Sequence, residues 1–191
     1  MALPYFEEQT FHKRNFTQEE LELGRYDRCV FTDCEFSGVD LSDFSFSECE
    51  FEQCNLSLVV VEACSFREVE FRECKLLGVQ WDTCRKFGLA VRFERCNLAE
   101  TVWVDLPLVG SSFRECQLLA ADFSGADLQQ SNFSGSNLKE VTFDHSDLRK
   151  ADFRSAINYQ IDPEINPLKG ARFSRSSVEG LLGKHGVQIE G

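Results

Sequence analysis

The feature that most constrains this chain is a spacing of five. Steps of five from Phe6 land on Phe11, Phe16, Leu21, Tyr26, Phe31, Phe36, Leu41, Phe46, Phe51, Leu56, Val61, Phe66, Phe71, Leu76 and Trp81, sixteen large apolar residues without a gap. A second run of thirteen goes from Phe93 through Leu98, Trp103, Leu108, Phe113, Leu118, Phe123, Leu128, Phe133, Leu138, Phe143 and Leu148 to Phe153. Neither the helical period of 3.6 nor the strand period of 2 produces such a row. It fits a coil that makes a short extended side, turns a corner and repeats. The residue two before each large one faces the same way by strand alternation, and it is usually small: Cys, Val, Ala or Ser. The remaining positions are mostly Asp, Glu, Ser, Asn, Arg and Gly, so the row reads as an inside/outside code.

The units "AADFS", "GADLQ", "QSNFS", "GSNLK" and "KADFR" resemble the A(D/N)LXX motif of the pentapeptide-repeat family, and the match covers roughly residues 6–156. That resemblance implies an all-β solenoid, a right-handed quadrilateral β-helix with four five-residue sides per coil. Residues 26–156 then make about seven coils of 20 residues. Residues 20 apart should stack. Twelve residues separate Trp81 from Phe93 where ten are expected. If the extra two bulge out near 85–89, one side reads Phe11, Phe31, Phe51, Phe71, Phe93, Phe113, Phe133, Phe153. The second side reads Phe16, Phe36, Leu56, Leu76, Leu98, Leu118, Leu138, and the third Leu21, Leu41, Val61, Trp81, Trp103, Phe123, Phe143. Lys86 is a poor core residue, which is why the bulge belongs there.

All nine cysteines (29, 34, 49, 54, 64, 74, 84, 96 and 116) fall on the small inward position. Zinc sites want close pairs with converging ligands. The shortest gap here, C-x4-C, puts neighbours on different sides of the coil. Cys34, Cys54 and Cys74 stack in successive coils about 4.8 Å apart, within bridging range, but stacked side chains run parallel. The expectation is buried small hydrophobes, with no metal and no cofactor.

The ends are less regular. Residues 1–25 keep the five-step, but Gln9, Arg14, Glu19 and Gly24 occupy the small positions, which suggests an irregular first coil that caps an open edge. Residues 157–191 lose the repeat. Ser174 could start a short helix carrying Val178, Leu181 and Leu182, Gly186 ends it, and "VQIE" could add a strand. Similar tails in the topoisomerase-protecting branch of the family form a dimer interface. The resemblance therefore implies a homodimer through Val178, Leu181, Leu182, Val187 and Ile189.

Composition narrows the function. The chain holds 32 acidic and 20 basic residues, a net charge of −12. Such a surface repels nucleic acid and anionic membranes and suits a basic protein groove. No N-terminal signal peptide is apparent and no stretch approaches 18 apolar residues, so the expected location is the cytoplasm. Catalysis needs converging groups. His12, His145 and His185 are scattered, and no H-E-x-x-H, P-loop, G-x-G-x-x-G or G-x-S-x-G occurs. The expectation is a non-enzyme.

What remains is surface. Leu58, Val60, Leu77, Val102, Val104 and Leu119 sit at outward positions of the second and third sides, with Pro107 and Val109 round the corner. Exposed apolar patches mark partner contacts. Together with Asp82, Arg85, Lys86, Phe87 and Asp105 they form the candidate partner site, where acid steers the approach and the apolar patch and bulge give specificity. As a whole the chain is similar to the Qnr quinolone-resistance proteins and the self-immunity proteins of producers of albicidin and microcin B17. The shared features are Cys/Phe-rich units, a central interruption, "NYQID" after the last coil, and the tail. The resemblance implies a rod that binds DNA gyrase or topoisomerase IV as a partial DNA mimic and protects it from poisons. Qnr proteins carry pronounced loops where this chain has one small bulge, which favours a poison other than a quinolone, or plain inhibition. The competing class is a scaffold or regulator that binds a different protein.

Overall fold

A computed structural model describes residues 3–185. The chain winds into a parallel β-solenoid whose large apolar residues fill the axis. Two sides are regular enough to form sheets. The fourth side pairs β1 (Tyr5–Glu7), β3 (Arg25–Asp27), β5 (Ser45–Ser47) and β7 (Ser65–Arg67) in that order. The first side pairs β2 (Thr10–His12), β4 (Val30–Thr32), β6 (Glu50–Glu52), β8 (Val69–Arg72), β9 (Val91–Glu94) and β10 (Ser112–Arg114). Every pairing is parallel and offset by 20 residues, except β8 with β9, where Phe71 lies beside Phe93. This sheet spans six coils, against the seven expected, because beyond β10 the sides contract to single bridges such as Ser112 with Asn132 and Asn132 with Asp152.

The contraction has a local cause. Where the residue before the large one is Asp or Asn, its side chain accepts the amide two residues on and tightens the turn: Ser124 to Asp122 at 2.9 Å, Ser134 to Asn132 at 2.9 Å, Arg154 to Asp152 at 3.0 Å. From Tyr26 onward, corners fall two residues after the large ones, almost all in the left-handed region, and most are not glycine: Asp33, Gln53, Glu73 and Glu115 all lie at φ 53–54. Among the described residues no Val, Ile or Thr adopts this conformation, because β-branching makes it costly. Thr83 occupies such a slot and does not take it. The chain instead tightens into a 3₁₀ turn, Trp81–Thr83, with the Thr83 hydroxyl donating to the Gln80 carbonyl at 2.8 Å.

Inside, the Phe column of the first side stacks nearly face to face, with Phe31–Phe51 at 4.7 Å and 6° and Phe133–Phe153 at 5.0 Å and 6°. Neighbouring columns meet edge to face, as Phe133–Phe143 does at 88°. Each buried Phe or Leu contributes roughly 1.5–3 kcal/mol, with about 0.5–1.5 more per aromatic pair. The first coil joins this stack through β1 and β2, Phe6 resting on Tyr26 at 4.7 Å and Phe11 on Phe31 at 4.7 Å. The column continues into the tail, where Phe173 stacks on Phe153 at 5.2 Å. The tail's helical segment is not one α-helix but two short 3₁₀ turns, Val178–Leu181 and Gly183–His185. Gly180 and Gly183 in so short a segment cannot sustain an α-helix. Gly186 and the "VQIE" segment lie outside the described residues.

Candidate functional site

At the bulge the coil leaves its track between two rungs of the ladder. Arg85 donates its amide to the Cys64 carbonyl at 2.8 Å and Ala90 to the Phe66 carbonyl at 3.0 Å, so both ends hold the ladder. Between them the chain turns, with Leu89 N bonded to the Lys86 carbonyl at 3.3 Å and Gly88 at φ 75. The nominal core residue, Lys86, points out, and Leu89 packs against the core instead. Phe87 stands on the tip, 85% exposed. The Arg67 guanidinium lies 5.9 Å from its ring centroid. Arg85 spans the corner, with Nε donating to the Ala63 carbonyl at 2.6 Å and its guanidinium 3.2 Å from Asp43. Lys86 Nζ donates to the Asp105 carbonyl at 3.0 Å. The bulge is thus pinned between the third and fourth sides.

The sequence-expected residues divide into two groups. Val60, Asp82, Val102 and Val104 lie on the third side, with Leu58 at its corner with the second. Asp105, Arg85, Lys86 and Phe87 lie at the corner of the third and fourth, continuing toward Pro107 and Val109. Leu58 is 64% exposed and Val60 45%, while Val102 and Val104 are half-buried. One Asp82 carboxylate oxygen is buried without a hydrogen-bond partner.

Charge is distributed unequally over the sides. Acids of the first side are largely neutralised by neighbours one coil away. Arg72 bridges Glu50 and Glu70 at 3.3 and 2.5 Å, Arg92 meets Glu70 at 3.4 Å, and Arg114 meets Glu94 at 3.4 Å. At the adjoining corner Arg95 reaches Glu73 at 3.0 Å. The outward positions of the third side carry Glu20, Glu22, Asp40, Glu62, Asp82, Asp122 and Asp144 and no Lys or Arg. Among the described residues none of these seven pairs with a Lys or Arg; Asp144 meets only the neighbouring His145, at 2.9 Å. The Ser42 hydroxyl and amide hold the Asp40 carboxyl below the usual aspartate value. Composition alone missed this asymmetry. The signal that finds it is the opposition of charges at offsets of 20 and 22.

The tail covers the last coil. Ile161 donates to the Gly180 carbonyl at 2.9 Å, and Gly180 lies so close to Tyr159 that a Cβ there would collide with its carbonyl oxygen. Lys184 pairs with Asp162 at 2.7 Å. Of the residues expected at a dimer interface, Leu181 packs against its own core, whereas Val178 and Leu182 are 43% and 40% exposed. Val187 and Ile189 lie outside the described residues. A groove of about 760 Å³ runs between the tail and the last coils, lined by Val141, Tyr159, Gln160, Ser177 and Gly180.

Converging chemistry is hard to find. Among the described residues no group of three His, Cys, Asp or Glu is placed to hold a metal. All nine cysteines are free and buried. Burial pushes the Cys49 and Cys84 thiols up to about 12 and the Cys64 thiol well above its ordinary value. No helix among the described residues is long and apolar enough to cross a membrane.

Comparison with known proteins agrees with this architecture. The profile of the pentapeptide repeat region matches residues 25–103 and 86–153. No curated protein matches the chain significantly in sequence. Among solved structures, a trypsin-treated variant of QnrB1, a plasmid-mediated fluoroquinolone resistance protein, superposes with a TM-score of 0.65 at 17% identity, covering 98% of this chain and 100% of that one. HetL, a pentapeptide repeat protein involved in heterocyst differentiation regulation in the cyanobacterium Nostoc sp. Strain PCC 7120, superposes with a TM-score of 0.58 at 19% identity, covering 90% and 85%. At these identities the likeness is one of fold.

Proposed function

The chain belongs to the pentapeptide-repeat family, and from that premise we propose that it is a non-catalytic rod that binds DNA gyrase or topoisomerase IV as a partial DNA mimic. In this reading it acts in the cytoplasm as a homodimer joined through its tail, shields the enzyme from a topoisomerase poison, and inhibits the enzyme at high concentration. The observation that carries the reading is a parallel β-solenoid with a net acidic composition and a fold match to QnrB1 over 98% of the chain. Residues 26–156 hold 23 acids and 13 bases, a net −10. The stack from Phe11 to Phe173 is about 38 Å long at ~4.8 Å per coil. Duplex DNA of that length carries about 22 charges, roughly twice the rod's net density, so mimicry is partial and the apolar residues must supply the rest of the affinity.

A supercoiling assay with purified gyrase, run with and without a poison, tests the reading. Protection or inhibition at micromolar protein, weakened by added salt, supports it. No effect on gyrase or topoisomerase IV at that concentration sinks it. The fold match to HetL favours one second reading, a regulator that binds a different protein through the same surface. That reading is preferred if neither topoisomerase responds.

A further inference from the structure

Leu58 is a large apolar residue exposed at a corner of the rod. The corners one coil before and after it are Gly38 and Gly78, left-handed at φ 69 and 66. Leu58 takes the same conformation at φ 59, as Glu100, Ala120 and Glu140 do further along the same corner, but it alone of these puts a large apolar side chain there. Its side chain is 64% exposed and leans along the rod, so that a Cβ on Gly78 would meet Leu58 Cδ2 at 2.7 Å. Beside it on the third side stand Val60 and, two coils on, Val102 and Val104. An exposed leucine and valine beside two half-buried valines make an apolar surface that contact with another molecule would cover.

The surrounding charge says what that molecule is. Asp40 and Glu62 lie on one flank of this ridge, Asp122 and Asp144 on the other, and no base occupies the side. A nucleic acid or an anionic membrane is repelled, and so is a second copy presenting the same side. The spacing also selects. One coil advances about 4.8 Å and one helical turn 5.4 Å. The Val60 and Val102 rungs, two coils apart, are therefore about 10 Å from one another, the span of helix positions i to i+7 at about 1.5 Å per residue. We propose that the ridge of Leu58, Val60, Val102 and Val104 is the seat for a basic amphipathic helix of a partner protein, its apolar stripe on the ridge and its Lys or Arg residues over the acids at either end. This rests on the reading of the chain as a protein-binding rod, and it disfavours the first side, where Glu50, Glu70 and Glu94 are already paired with arginine. The mode is helix-in-groove recognition with the rod's flat side as the groove.

The test uses the full chain and an 18-residue Lys/Leu amphipathic peptide as the probe, with amide shifts followed by NMR. Shifts should concentrate on the third side, around residues 40, 60, 82, 102 and 122. Leu58→Gly with Val60→Thr should weaken the peptide tenfold or more while its melting temperature stays at or above that of the parent, since glycine relieves the corner. Asp122→Asn should weaken binding in a salt-dependent way, whereas Glu52→Gln, an equal charge change on the first side, should stay within twofold. Shifts centred on the first or fourth side, or unchanged affinity of the doubly substituted chain, overturn the proposal. Purified gyrase is titrated against the same variants. If gyrase does not bind the parent, the topoisomerase reading falls while the peptide result still decides the ridge.

Discussion

Thr101→Val and Val79→Thr should move stability in opposite directions, although each exchanges the same two side chains in the same column. The reason lies in two stacked tryptophans, Trp81 and Trp103, whose rings sit 4.8 Å apart at 7° and are both essentially fully buried. Trp103 Nε1 donates to Thr101 Oγ1 at 2.8 Å, and that hydroxyl donates to the Leu98 carbonyl at 2.7 Å. Trp81 has valine at the equivalent place, and its indole N–H is buried without a partner. Thr101→Val therefore strands a second indole and frees a carbonyl, at a cost of about 1–3 kcal/mol. Val79→Thr supplies the missing acceptor and can hand its own proton to the Leu76 carbonyl, three residues back as in the Thr101 pair, for a gain of about 0.5–1.5 kcal/mol. In a chain of this size one kcal/mol moves Tm by about 2–4 °C. The expected shifts are a fall of roughly 2–12 °C and a rise of roughly 1–6 °C.

Thermal unfolding followed by tryptophan fluorescence and far-ultraviolet circular dichroism measures both. Two probes are needed because a stack of coils can open in parts. The reasoning is refuted if Val79→Thr lowers Tm as Thr101→Val does, for then the hydroxyl is penalised by burial whatever its partners. It is equally refuted if Thr101→Val is neutral.

Four further outcomes follow from the same geometry. Phe113→Ala, which removes a ring stacked on Phe93 at 5.5 Å and Phe133 at 5.1 Å, should cost about 3–5 kcal/mol in urea unfolding. Ala120→Gly, at a corner held at φ 55, should leave Tm unchanged or raise it by a few degrees, since relief of roughly 1–2 kcal/mol outweighs glycine's entropy cost. Hydrogen bonds from Arg149 and Arg154 hold the Asp147 and Asp152 carboxyls below their usual value. Their contribution is complete above the unfolded-chain value near 4 and is lost as pH falls toward the lower folded values, so Arg149→Met/Arg154→Met should be less stable than the parent above about pH 4, with the two curves converging as pH falls below it. Ellman's reagent at pH 8 should label no cysteine in the folded protein and all nine after unfolding in urea, because every thiol is buried.

Much of the fold is legible in the sequence because its rule is local and one-dimensional. A large apolar residue every fifth position, with a small one two before it, leaves a closed coil as the arrangement that buries both, and the same rule makes nine cysteines core filler rather than chemistry. Legibility ends where a neighbour 20 or 22 residues away decides the outcome. Glu50 and Glu70 look like acidic display in the sequence and are in fact the partners of Arg72 and Arg92. Thr83 could have revealed the 3₁₀ turn, since it is a β-branched residue in a slot that demands positive φ. The tail's packing could not be read, because the contact between Gly180 and Tyr159 follows no repeat.

The inward letters are nearly interchangeable among coils, so they carry the rod and little else. What distinguishes one side from another is the outward pair and the corner residue, and there the chain departs from the cheapest solution. The same corner carries Gly38, Gly78, Glu100, Ala120 and Glu140, yet at position 58 it exposes a leucine. Arginine on the third side would neutralise it as it does the first, yet none is present. Both departures raise the cost of the isolated rod, one by leaving apolar surface in water and the other through uncompensated repulsion. They fall within a few coils of each other, on the side whose core holds the stacked tryptophans. A rod shaped by stability alone would show neither, and one shaped by solubility alone would not place the valines among the acids. Binding a basic partner with an apolar stripe accounts for both departures at once.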